Sequence, residues 1–263
     1  MKTSITKDNK PISKLTSKKG IYKTLIIGFW LVVWQIVYLI IQQDIYLPSP
    51  IDVTGQFFKL LFTSSFWVSV IYSIYRVMLG LLLSIGCGVV FGALASTNRY
   101  FYDLLQPLVS AIRSTPVISF IIIALIWFTS SNVPIFICFL MCFPIFWTNI
   151  LEGIHSVDRK LLEMATVYRV NKWDIIKKIY IPSITPYFTA ATITALGLGF
   201  KVSVAAEVLS NPREGIGSHL YSAKVYLDSI DMFSWTLVVI LLTISFEGLF
   251  TWLVKKVSVS NNK

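Results

Sequence analysis

The sequence predicts an all-α membrane protein of about six transmembrane helices, with an amphipathic helical loop on its cytoplasmic side. Three observations carry this. Hydrophobic residues make up 55% of the 263-residue chain and charged residues only 14%, with a mean hydropathy of +0.71; a soluble domain of this length needs more charge to keep its surface wet. Apolar runs recur at the length that crosses a bilayer, about twenty residues. In mid-sequence the runs are interrupted by EMATVYRVNKWDIIKKIYIP (163–182), which holds four basic and two acidic side chains.

The spans follow in order. The first is 24–41, uncharged and too long for the apolar part of a signal peptide, so it reads as an uncleaved helix. The second centres on VMLGLLLSIGCGVVFGALA at 77–95. Residues 114–151 hold no charge over 38 positions, and TSSN at 129–132 with Pro134 divides them into a short third span at 116–128 and a fourth at 133–150. The fifth is 183–206 and the sixth 232–254. Glycines 80, 86, 88 and 92 in the second span and 197 and 199 in the fifth let helices approach closely in lipid.

Basic residues orient the spans. With the N-terminus inside, the cytoplasmic segments hold eighteen Lys and Arg residues and the external ones four: Lys59, Arg76, Arg213 and Lys224. Both termini are then cytoplasmic. Seven lysines within residues 1–23 read as a disordered basic tail near anionic headgroups, which accounts for much of the net charge of +10 without nucleic acid. No aromatic–basic alternation of the nucleic-acid-binding kind is present. Cys87, Cys138 and Cys142 lie in apolar runs without CxxC spacing and read as structural thiols. His155 and His219 stand alone, so neither a metal site nor a catalytic triad can be assembled, and no catalytic residue is expected.

Within the interrupting strip, Asp158 caps a helix carrying Leu161, Leu162, Ala165 and Tyr168 along one side. Asn171, with Asp174 three residues on, has the form of a capping box opening a second short helix. There Trp173, Ile176, Ile179 and Tyr180 recur at helical spacing opposite Lys172, Lys177 and Lys178, and Pro182 is expected to stop it. On these grounds two readings are open: helices lying in the lipid interface, or a docking knob for a cytosolic partner.

Three charges fall within apolar runs. Lys201 either lines a translocation path, snorkels outward or pairs with Glu207, six residues on; Glu207 is either part of that path or a brace at a helix end. Glu247 suits an interfacial pair with Lys255 or Lys256.

The strip resembles the cytoplasmic coupling loop of binding-protein-dependent ABC importer permeases, E-A-A, three residues, G, nine residues, I-x-L-P. Here Glu163-Met164-Ala165, Arg169 in place of the glycine, and Ile179-Tyr180-Ile181-Pro182 keep the full spacing. Because a turn glycine often takes positive φ, the arginine suggests a turn built around Asn171 instead. AIRSTPVISFI (111–121) and VAAEVLSNPREGIGSHL (204–220) are similar to segments of the nitrate, sulfonate and taurine group. The resemblance covers 66–252, leaving tails at 1–23 and 253–263 and a first helix with an external segment at 24–65. It implies a permease dimer in the bacterial cytoplasmic membrane and a solute such as nitrate, a sulfonate, taurine or a vitamin precursor. It further implies an extracytoplasmic substrate-binding protein and two cytosolic ATPase subunits gripping Glu163, Ala165, Tyr168, Arg169, Trp173, Ile179 and Pro182. ATP would be bound by those partners and no cofactor by this chain, which has no GxxxxGK[ST] of its own. An ion-coupled carrier would want more intramembrane carboxylates and an internal repeat, neither of which is visible.

Overall fold

A computed structural model describes residues 12–260, and among them the backbone is helical with no strand. Helix α1 (Ile12–Ile41) begins well before the expected span, so part of the basic segment is helical; residues 1–11 and Lys263 lie outside the described residues. The helix stands at the margin, touching the rest through Trp34, which donates to Pro48 O at 3.1 Å and meets Phe233. Helix α2 (Pro50–Leu61) is started by Ser49, whose hydroxyl accepts from Asp52 N, and by Pro50 in the first turn, where its missing donor costs nothing.

The second span is part of the 34-residue helix α3 (Ser64–Thr97), which packs along α6 (Val133–His155). Small residues make the contact. A Cβ added at Gly80 would lie 2.7 Å from Cys138 Cβ, one at Gly88 would run into Phe146, and one at Gly92 would press on Ile150. Ser84 Oγ reaches Phe139 O of α6 at 2.9 Å. Gly86 looks into open space. Helix α9 (Ile181–Ser210) lies in the groove of this pair, with Gly199 over the thiols of Cys138 and Cys142. The core is Val77, Leu81, Cys138, Phe146, Ala195 and Phe200. All three cysteines are free.

The expected third span is a broken pair. Helix α4 (Arg99–Ser114) meets α5 (Val117–Trp127) at a 107° bend. Pro116 causes it by holding Thr115 extended (ψ 136°). Eleven residues reach roughly 16 Å, about half of the hydrocarbon core, so α5 cannot cross alone. Arg113 fastens the bend to α6 by donating to Pro144 O at 3.1 Å and to Thr148 Oγ1. Five helices among the described residues are long and apolar enough to span, six if the bent pair counts as one. The last is α11 (Ser229–Ser260), preceded by the short helix α10 (Ile216–Val225).

The strip between α6 and α9 folds as α7 (Arg159–Val167) and α8 (Lys172–Ile175). Pro182 does not stop the second helix. It lacks the donor for a normal turn, and the backbone widens into a π turn at Ile176–Tyr180, where Ile181 N bonds Ile176 O. Helix therefore continues from residue 172 to 210.

The glycine contacts separate two similar substitutions. Gly88→Val should destabilise the helix bundle by about 1–3 kcal/mol through overpacking against Phe146, whereas Gly86→Val should be nearly neutral; thermal unfolding of both variants in detergent measures the difference.

Candidate functional site

The strip displays its apolar side chains outward. Asp158 Oδ1 accepts from Lys160 N at 2.9 Å, starting α7 as its sequence requires. Leu162 and Ala165 turn inward, Ala165 being buried, while Leu161, Met164, Val167 and Tyr168 are exposed. Val167, Tyr168 and Trp173 are 78%, 76% and 77% exposed, so none of the described residues covers them. Pro182 is exposed and Ile179 half-buried; Glu163 is exposed and makes no ion pair or side-chain hydrogen bond among the described residues.

The turn between the helices is built on Arg169, not on Asn171. Arg169 takes φ +50°, its N–H bonds Thr166 O at 3.1 Å, and Val170 N bonds Ala165 O at 2.9 Å. This is the Schellman closure that glycine ordinarily makes, so the arginine occupies the glycine's conformation at its steric cost. Asn171 instead caps α8, accepting from Trp173 N at 3.3 Å. Asp174 does not complete the box; it pairs with Lys178 at 3.3 Å, one turn on.

At the other end of α9, Glu207 is wholly buried, and its partner is Arg76 rather than Lys201. Arg76 Nη1 donates to Glu207 Oε1 at 2.7 Å, and Arg76, expected in an external loop, is only 3% exposed within α3. Ser73 Oγ lies 2.8 and 2.9 Å from the two carboxylate oxygens and accepts from Ile216 N at 2.9 Å. Gly217 N donates to Glu207 Oε2 at 2.9 Å. Gly215 and Gly217 admit the α10 backbone this close: a Cβ at Gly217 would strike the Glu207 side chain, and one at Gly215 would lie 2.8 Å from Arg76 Nη1. Three donors, Arg76, Ser73 and the Gly217 amide, thus satisfy a desolvated carboxylate and, with Ile216 N on Ser73, tie α3, α9 and α10 together. Beside this cluster, His219 stacks on Trp235 (4.4 Å) and meets Ser69 Oγ at 2.9 Å; burial pushes its imidazole pKa down, opposed by Asp231 and Glu214.

Lys201 lies apart from Glu207. From residue 190 on, α9 is exposed along one stripe only, Ala190, Thr194, Lys201, Ala205 and Leu209. Glu247 of α11 lies on this side, its Oε1 against Gly197, where a Cβ would displace it. It lines a groove of about 440 Å³ with Ile193, Ile244, Gly248, Thr251 and Trp252. Its expected partner Lys256 stands over the Trp252 ring at 5.1 Å instead, and the Lys255 side chain lies outside the described ones. The sequence had no signal for Arg76, which is 131 residues from Glu207.

Two variants test these local assignments. Glu207→Gln should cost about 3–5 kcal/mol of stability by leaving Arg76 buried and unpaired, and Arg76→Met added to it should restore most of the loss, read by thermal unfolding. Arg169→Gly should stabilise the loop by about 1 kcal/mol by relieving the left-handed arginine, seen as slower hydrogen exchange at Val170 and Arg169.

Comparison with known proteins places the chain in a family. The family described as binding-protein-dependent transport system inner membrane component matches residues 84–259. The nitrate import permease protein NrtB of Synechococcus elongatus is 28% identical over 205 residues, covering 74% of this chain and 73% of its own length. The putative aliphatic sulfonates transport permease protein SsuC of Bacillus subtilis is 26% identical over 205 residues, covering 77% and 74%. In fold, a chain of a bacterial alginate ABC transporter superposes with a TM-score of 0.63 at 13% identity over 94% of this chain and 98% of its own. A chain of the MetNI methionine ABC transporter gives 0.58 at 15% identity over 73% and 93%. The chain therefore belongs to the binding-protein-dependent transport system inner membrane components: it is a membrane-spanning permease subunit of an ABC importer, with ATP hydrolysis on a separate subunit.

Proposed function

We propose that the loop 158–182 is the surface on which cytosolic ATPase subunits drive this permease, and that two copies of the chain enclose a path beside α9. The solute is a small anion, delivered by an extracytoplasmic binding protein across the bacterial cytoplasmic membrane, with both termini of the chain cytoplasmic. The carrying observation is the set of exposed apolar side chains on α7 and α8, joined without a break to α9. A large aromatic such as Trp173, 77% exposed on a loop that ends in a spanning helix, is the kind of anchor that fills a partner's pocket. Helix from residue 172 to 210 then carries any displacement of the loop into the membrane.

The anion reading rests on Lys201. A lysine at the bilayer centre costs roughly 2.5–3.5 kcal/mol on insertion scales. Arg76 offsets that cost by pairing with Glu207; Lys201 has no ion pair among the described residues and sits on the single exposed stripe of α9. Relatives named for nitrate, aliphatic sulfonates and bicarbonate all carry small oxyanions in their names, which supports the same class here.

The docking assignment is tested by Trp173→Ala and Glu163→Lys. Each should reduce co-purification of the ATPase subunit and lower ATP-driven uptake by roughly tenfold or more, as truncation of an interface anchor does, while the protein remains in the membrane. Unchanged association and uptake in both variants would place the strip in the lipid interface instead.

A further inference from the structure

Once Glu207 is assigned to Arg76, the other two charges that fall within apolar runs, Lys201 of α9 and Glu247 of α11, have no ion pair or side-chain hydrogen bond among the described residues. Gly197 of α9 lies between them. The Glu247 carboxylate rests against Gly197, in space that any other residue's Cβ would fill. Lys201 is four residues beyond Gly197, so the two positions stand about 6 Å apart on the same helix face. Helical side chains lean toward the N-terminus, which tilts the Lys201 stem back over Gly197. The four-carbon stem of lysine covers that distance. A groove of about 440 Å³ beside Glu247, lined on α9 by Ile193 rather than by Lys201, has room for a small solute one turn from Gly197.

We infer that Glu247 is the resident counter-ion of Lys201, seated on Gly197, and that an anionic solute competes with it for the ammonium. The pairing rests on the geometry of α9 and α11; the competition rests on the anion path proposed above. Such a pair removes the cost of an isolated ammonium when no solute is present, and it makes Glu247 a determinant of apparent affinity rather than a coupling or folding residue. Gly197 has a defined part in it: without a Cβ it leaves the carboxylate within reach of the lysine.

The full chain in lipid nanodiscs, as wild type, Lys201→Met, Glu247→Gln and the double variant, tests the pair through thermal unfolding midpoints. Each single change should lower the midpoint, and the double variant should fall by clearly less than the sum of the two. Additive shifts overturn the pairing. The charge swap Lys201→Glu with Glu247→Lys gives an independent arm and should recover the midpoint lost by either reversal alone. Uptake in cells, probed with nitrate, bicarbonate and methanesulfonate, tests the competition. For whichever probe is carried, Glu247→Gln and Gly197→Ala should each lower the apparent KM by roughly three- to tenfold, whereas Lys201→Met should raise it. An unchanged KM in both Glu247→Gln and Gly197→Ala overturns the competition. If the midpoints show coupling while Lys201→Met leaves uptake of the carried probe intact, the pair stands and the anion path is refuted.

Discussion

The close approach of α3 to α6 through Gly80, Gly88 and Gly92 is the contact on which the rest of the molecule depends. Helices in lipid gain nothing from hiding apolar surface, because the tails are as apolar as leucine; they gain from dispersion at short range and from hydrogen bonds. Glycines at intervals of four and eight residues supply the first, and Ser84 reaching the Phe139 carbonyl supplies the second. The two helices form a wall, and α9 lies against it with Gly199 over the Cys138 and Cys142 thiols and Ala191 and Ala195 buried. So much of α9 is covered that a single stripe is left exposed, and that stripe carries the lysine.

The two ends of α9 are held by different physics. At the Ser210 end, the Arg76–Glu207 cluster with Ser73 and the Gly217 amide is an enclosed polar network in which every member has a partner, so it resists any motion that would expose one of them. At the other end, helix runs on through the π turn into α8, braced by the close fit of Gly153 of α6 against Ile184 and Tyr187 and by Phe188 against Phe146. A stop at Pro182 would have uncoupled the loop from the span. The π turn, closed by Ile181 N on Ile176 O, instead keeps the helix continuous across Pro182. Helix is therefore continuous from the exposed Trp173 to the braced Glu207.

What could be read from the sequence was what is local. Asp158 and Asn171 cap the helices they precede, Pro116 and Pro134 mark real boundaries, and the small-residue stripe of the second span is a packing face. Gly86 failed to belong to it because it stands two residues from Gly88, which turns it to the far side of the helix. The Arg169 turn was misjudged for a different reason: positive φ disfavours arginine by only about 1–2 kcal/mol, which the Schellman bonds to Thr166 and Ala165 are enough to offset. The exposed apolar residues of the strip between α6 and α9 were legible as amphipathic; their outward direction was not, since nothing local says which side of a short helix faces the bundle.

Charges inside the membrane were the hardest to place. Proximity in sequence favoured Lys201 with Glu207, but residues six apart are separated by about 240° around a helix at roughly 100° per residue, so the two never share a face. Four-residue spacing would have pointed from Lys201 back to Gly197, a position with no side chain, and thus to whatever group of another helix fills the gap. That group is a carboxylate. A glycine in a spanning helix accordingly has two meanings in this chain. At Gly88 its missing side chain is filled by an apolar neighbour and builds the wall, and at Gly197 it is filled by Glu247 and brings a charge next to the only exposed stripe of α9.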